Sequence, residues 1–302
     1  MKKYTGEGAL LLNTIIWGAT FAIIKNALQD VSPMVFISLR FTFAALILLP
    51  FVLHSFKKYS KPLLLGGALL GLFYFLGFAT QTIGLNYTSA TKSGFITGTF
   101  VVFTPVFQLL IEKRAPTKAN IAGIVLVLFG LIFLSSKETS FFNIFSELGK
   151  DFNIGDFFTI LCAIFFSLYL VYMDIISRKF DYMPLVFIQI AVTGIGGIIA
   201  AIILSGTGIE TIRFSLNSNL IFAVLYTSIL ATIVTTILQT KFQKVVSPTK
   251  AGIIFSFEPI FAALIAFFAL SEKISKFGLI GCTLIFSGLF VTEVFDKNNK
   301  SE

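Results

Sequence analysis

Charge is what this chain has least of. Asp, Glu, Lys and Arg make up 13% of its 302 residues, hydrophobic residues make up 56%, and mean hydropathy is +0.91. A water-soluble fold could not hide that much apolar surface, so the composition is that of a polytopic membrane protein. Histidine is nearly missing as well. His54 is the only one, and it sits beside Lys57 and Lys58 at the end of an apolar run, a surface position that does not suit a catalyst. The only cysteines, Cys162 and Cys282, lie inside apolar segments as small fillers, which argues against a disulfide frame or a metal site. Glycine-rich phosphate loops, carboxylate clusters and His–carboxylate sets are absent. The sequence therefore predicts no enzyme, no ATP hydrolysis, no metal and no cofactor.

What the chain does have is a series of apolar segments. They run over 9–28, 33–53, 63–84, 93–111 and 119–135, then 156–176, 183–204, 219–239, 251–270 and 277–295. Each is close to the roughly 20 residues that cross a bilayer as a helix. The first follows Lys2 and Lys3 as a secretory signal would, but it carries Trp17 and Lys25 and no small-x-small cleavage site, so it reads as the first span. A net charge of +8 would suggest nucleic acid in a soluble domain. Here its distribution matters more. With the N-terminus cytoplasmic, fifteen basic residues fall inside, among them Lys113, Arg114, Arg178, Lys241 and Lys250. Seven fall outside, including Lys25, Lys92 and Arg213, and Arg40 lies within a span. This obeys the positive-inside rule and places both termini in the cytoplasm of a cell (inner or plasma) membrane. The partners implied are the lipid bilayer and a small-molecule substrate, with no nucleic acid.

The two halves repeat. Ser32-Pro33-Met34-Val35-Phe36-Ile37-Ser38 returns as Met183-Pro184-Leu185-Val186-Phe187-Ile188-Gln189, Gln81-Thr82 as Gln239-Thr240, and Lys92-Ser93-Gly94 as Lys250-Ala251-Gly252. Gly123 and Gly130 return as Gly281 and Gly288. Five spans per copy invert the second copy in the membrane, the mark of a transporter. The expected organisation is all-α: a first repeat over 1–135, an extracytoplasmic linker over 136–155, a second repeat over 156–295 and a cytoplasmic tail over 296–302. Within the linker, Phe141-Phe142-Asn143-Ile144-Phe145 suits a short amphipathic helix on the membrane surface. Glycines within the third and seventh spans read as close helix contacts. Pro105 and Pro259 predict kinks that open the bundle centre.

Trp17-Gly18-Ala19-Thr20-Phe21 with Lys25, Ser32-Pro33, Arg40-Phe41 and Ala44 resembles the EamA family of the drug/metabolite transporter superfamily. So do Ala90, Gly94-Phe95-Ile96-Thr97-Gly98, Pro105, and Ala251-Gly252 through Glu258-Pro259 to Ser271-Glu272-Lys273. The resemblance covers about 8–295. It implies ten helices in a basket-like bundle, and a cavity lined by spans 1, 3 and 4 with their counterparts 6, 8 and 9. Relatives mostly move amino acids and other small metabolites outward, and distant ones exchange nucleotide sugars or sugar phosphates. The sixth span departs from the pattern with Phe166-Ser167 where the first has Trp-Gly.

Charges inside hydrocarbon need a partner, a route to water or a task. Arg40, whose counterpart is Ala191, either locks to carbonyls or offers a positive charge to an anionic group. Glu258 is the one clear intramembrane carboxylate and aligns through the prolines with Thr104. It either satisfies helix ends near Pro259 or binds a substrate amine or a coupling proton. Lys25 and Asp174 fall at matching positions and read as snorkelling helix ends, and Lys92 and Lys250 as anchors of helix starts. The candidate substrate-binding set is Trp17, Thr20, Gln81, Thr97, Thr99, Tyr169, Tyr226, Gln239, Ser256 and Glu258, with Glu258, Arg40 and Lys25 as charge or coupling candidates. The expected function is a secondary transporter of small polar metabolites, foremost an exporter of amino acids or related metabolites, working by alternating access with protons as the coupling ion. Alternatives are a passive channel, a lipid scramblase or an exchanger of nucleotide sugars or sugar phosphates.

Overall fold

The computed structural model describes residues 3–54, 59–135, 152–270 and 276–298. Among them the regular structure is helical, apart from one antiparallel bridge between Val31 and Phe214. In chain order the helices are α1 (Lys3–Gly18), α2 (Thr20–Ala27), α3 (Pro33–Val52), α4 (Lys61–Tyr87), α5 (Ala90–Gly98), α6 (Phe100–Glu112) and α7 (Lys118–Ser135). After residue 152 come α8 (Ile154–Ser177), α9 (Tyr182–Gly206), α10 (Ser218–Leu225), a π-helical stretch (Tyr226–Val234), α11 (Thr235–Phe242), α12 (Pro248–Phe255), α13 (Glu258–Leu270) and α14 (Lys276–Asn298). Nine helical stretches among the described residues are long and apolar enough to cross a membrane, and Lys118–Leu134 is a shorter apolar helix. The protein is a multi-pass membrane protein. Leu46, Phe51, Leu65, Ile202 and Phe286 point outward as a lipid-facing belt.

Polar caps fix where the helices begin. Ser60 accepts from the Leu63 N–H with Pro62 beside it, Ser247 accepts from the Lys250 N–H with Pro248 at the first turn, and Asn153 forms a reciprocal capping box with Asp156. Within the bundle, glycines set the crossings. A methyl group on Gly281 would lie 2.5 Å from the Gly130 carbonyl oxygen, and one on Gly123 would lie 2.8 Å from the Gly288 carbonyl oxygen, so α7 and α14 meet backbone to backbone. Gly77 faces Phe166 and Gly84 faces Gly155 where α4 crosses α8. Gly194 and Gly197 receive α3 at Thr42 and Ile37.

Three helical stretches break near mid-span: α1/α2 at Ala19, α5/α6 at Thr99, and α12/α13 at Ser256–Phe257. The kink expected at Pro105 is therefore displaced. Residue 105 lies inside α6, and the break is six residues earlier, where the Thr99 N–H and hydroxyl both go to the Ile96 carbonyl at 3.1 and 2.6 Å. Such local bonding competes with the helical ladder. Pro259, by contrast, is the second residue of α13, where a missing N–H costs nothing. The expected surface helix at Phe141–Phe145 lies outside the described residues.

A central cavity at the helix breaks

The breaks surround a cavity with about 530 Å³ of empty space, part of it open to solvent. Trp17 and Thr20 reach it from either side of the α1/α2 break, Thr97 and Phe100 from the α5/α6 break, and Phe255 and Glu258 from the α12/α13 break. Gln81 with Tyr74 and Phe78 comes from α4, Phe166 with Tyr169 and Leu170 from α8, and Gln239 from α11. Aromatic rings pack edge to face in the wall: Trp17 on Phe255 at 5.1 Å and Phe78 on Phe166 at 5.0 Å between centroids. Tyr74 stacks on Tyr169 at 4.8 Å.

Ten of the thirteen lining residues fall into five pairs at fixed sequence offsets. Trp17 with Phe166 and Thr20 with Tyr169 are 149 apart; Gln81 with Gln239, Thr97 with Phe255 and Phe100 with Glu258 are 158 apart. The alignment of Glu258 with Thr104 through the prolines is thereby corrected. Thr99 and Phe257, one at each break and 158 apart, match Glu258 to Phe100 instead. Thr104 is buried and bonds the Phe100 carbonyl at 2.7 Å.

Of the candidate binding residues, Trp17, Thr20, Gln81, Thr97, Tyr169, Gln239 and Glu258 come together in this wall. Thr99, Tyr226 and Ser256 are not among its lining residues. Thr99 bonds within its own break, the Tyr226 hydroxyl donates to the Ile16 carbonyl at 2.9 Å, and the Ser256 hydroxyl donates to the Gly252 carbonyl at 3.0 Å. Most of the aromatic wall was missed, notably Tyr74, Phe78, Phe100 and Phe255. A signal existed in the offsets, since Phe255 and Phe100 are the counterparts of Thr97 and Glu258.

The three charge candidates separate. Glu258 faces the cavity, and no hydrogen bond or ion pair to its carboxylate occurs among the described residues. Arg40 does not line the cavity. It is 1% exposed, donates from Nε to Thr232 Oγ1 at 2.8 Å and from Nη2 to the Ala231 carbonyl at 3.0 Å, and its Cζ lies 4.4 Å from the centre of the Phe78 ring. Ala231 belongs to the π-helical stretch, whose altered ladder leaves carbonyls for side chains, and Trp17 Nε1 donates to the same oxygen at 3.3 Å. Lys25 caps the end of α4, donating to the Leu85 and Thr88 carbonyls at 2.6 and 2.9 Å.

Both outer ends of the cavity helices carry ion pairs. Lys92 Nζ meets Asp156 Oδ2 at 2.6 Å, with Thr88 Oγ1 donating to the other oxygen at 2.8 Å. At the opposite end Lys250 Nζ meets Glu7 Oε1 at 2.6 Å and also pairs with Glu293. Lys92 and Lys250, read from sequence as helix anchors, thus join helices, and the pairs correspond, since Glu7 and Asp156 are 149 apart and the two lysines 158 apart. Asp174 pairs with Arg178 one turn away at 2.8 Å.

Comparison with known proteins gives a consistent picture. The model described as "EamA-like transporter family" matches residues 4–136 and 153–294. A protein of Archaeoglobus fulgidus named an uncharacterized transporter is 32% identical over 297 residues, covering 97% of this chain and 87% of that one. An S-adenosylmethionine uptake transporter of Rickettsia prowazekii is 29% identical over 144 residues, 47% of this chain and 44% of its own. A crystal structure with 16% sequence identity superposes with a TM-score of 0.77 over 98% of this chain and 99% of that one.

Proposed function

Because the chain belongs to the EamA-like transporter family, we propose that it is a secondary transporter that exports small metabolites by alternating access, with the central cavity as its substrate site. The observation that carries this reading is the composition of the wall. Five pairs of equivalent positions, drawn from residues 17–100 and 166–258, meet at one cavity among broken helices. Two inverted five-helix repeats, 1–135 and 156–295 joined by the 136–155 linker, would produce such a site on their shared axis. On this account the termini are cytoplasmic, Lys250–Glu7 closes the cytoplasmic mouth and Lys92–Asp156 the outer one. Rocking of the halves breaks one pair while the other holds.

Glu258 carries the coupling. A lone carboxylate in an aromatic wall accepts a proton on one side of the membrane and releases it on the other. In proteoliposomes a pH gradient accelerates substrate flux by wild-type protein, and Glu258→Gln removes that acceleration. An undiminished pH response in the variant would mean that the coupling group lies elsewhere.

A further inference from the structure

Resting on the reading of this cavity as the substrate site, we propose that the substrate is an organic monocation: a primary or secondary ammonium on a flat, largely apolar body, with no carboxylate of its own. Four donors of the wall are spent on the protein, while two of its acceptors are not. Trp17 Nε1–H goes to the Ala231 carbonyl, the Tyr169 hydroxyl donates to Gln189 Oε1 at 2.7 Å, the Thr20 hydroxyl to the Trp17 carbonyl at 2.7 Å, and the Tyr74 hydroxyl is engaged with Thr236 Oγ1 at 2.9 Å. None of these is left for a ligand. The Glu258 carboxylate, in contrast, has no partner among the described residues. Gln239 is 2% exposed and its Oε1 is also without one.

The orientation of that amide follows from its neighbours. The Leu170 carbonyl can only accept, so Gln243 turns its NH2 group toward it at 2.7 Å. Gln243 Oε1 is then the atom facing Gln239, which donates to it from Nε2 at 2.9 Å and leaves its own oxygen uncommitted. A ligand therefore meets one carboxylate, the Gln239 amide oxygen, the Gln81 amide with its long 3.5 Å bond to Thr97 Oγ1, and aromatic rings, and no Lys, Arg or His lines the cavity among the described residues. Aromatic faces attract cations, and a buried acceptor without a donor is costly until one arrives. An amino acid, the class suggested by the family resemblance, brings a carboxylate that would face Glu258 with no cation to receive it. Arg40 does not supply one, since Phe78 covers it.

The single Trp17 gives a direct readout, because it lines the cavity and no other Trp is present. Purified protein is titrated with four probes sharing one ring: phenethylamine, its N,N,N-trimethyl derivative, phenylalanine and 3-phenylpropionate. The expected result is a saturable change in Trp17 emission with phenethylamine at an affinity about tenfold or more above the other three. Glu258→Gln weakens phenethylamine about tenfold or more, and Gln239→Met does so for phenethylamine and leaves the trimethyl derivative unchanged. Thermal midpoints confirm that the variants fold. Equal or tighter binding of phenylalanine or phenylpropionate, unchanged phenethylamine binding in Glu258→Gln, or no response to any probe overturns the proposal. Counterflow of the same probes separates it from the reading beneath it. Amine binding without counterflow sinks the transporter reading and keeps the ligand class, whereas phenylalanine counterflow that a cavity-filling Thr97→Phe stops sinks the ligand class and keeps the transporter.

Discussion

Arg40 and Glu258 look alike in the sequence, each a charge within an apolar run, yet the structure gives them opposite situations. The Arg40 side chain is 1% exposed and tied to the π-helical stretch through Thr232 and the Ala231 carbonyl. Glu258 faces an open cavity without a partner among the described residues. The difference predicts separable phenotypes. Arg40→Met loses charge-assisted hydrogen bonds and leaves the Ala231 carbonyl with only the long bond from Trp17, at a cost of about 1–3 kcal/mol. Thermal unfolding in detergent shows the lowered midpoint, while phenethylamine affinity stays within about twofold. A variant with normal stability and lost binding would place Arg40 in the substrate site after all. Lys25 belongs with Arg40, because its ammonium is committed to the end of α4.

Among the elements, glycine and helix interruption do complementary things. Glycines bring backbones together at the crossings, and breaks at Ala19, Thr99 and Ser256–Phe257 hold them apart at the centre. Gly281→Leu forces a side chain into the Gly130 carbonyl and the Leu134 backbone, 2.5 Å from where its Cβ must sit, and lowers stability by about 1–3 kcal/mol. Gly8→Ala, with nothing within 4 Å of the added methyl, is the matched control and leaves the midpoint unchanged or slightly raised. The comparison is a pair of thermal melts, and equal losses in both would contradict the crossing geometry. The helices themselves were legible because roughly 20 apolar residues per span leave few alternatives in lipid. The breaks were less so. Pro259 marked its break to within two residues, but Pro105 pointed six residues away from Thr99, since a proline removes only one bond while a threonine hydroxyl can divert the ladder where it stands. The π-helical stretch has no proline and left no trace in the sequence. Polar cavity residues such as Gln81 and Gln239 stood out against their apolar surroundings. Phe100 and Phe255 did not, because an aromatic in a lipid-facing wall and one in a binding wall are the same residue on different sides of a helix.

For the whole molecule, the correspondence between halves organises the account. Equivalent positions supply the cavity wall, and equivalent ion pairs, Lys92–Asp156 and Lys250–Glu7, stand at its two ends. Asymmetry enters at the centre, where one half offers Phe100 and the other Glu258. On the proposed roles of Glu258, a proton and an ammonium compete for one carboxylate, which is the condition for antiport, and an inward proton gradient then drives the cation outward, the direction proposed for export. The most direct test of a substrate held alternately by one central cavity is counterflow. Proteoliposomes loaded with unlabelled phenethylamine are diluted into a trace of labelled phenethylamine. The account predicts a transient internal accumulation above equilibrium that saturates with substrate and disappears in Thr97→Phe. Monotonic equilibration without overshoot, or an overshoot that Thr97→Phe leaves intact, would contradict it.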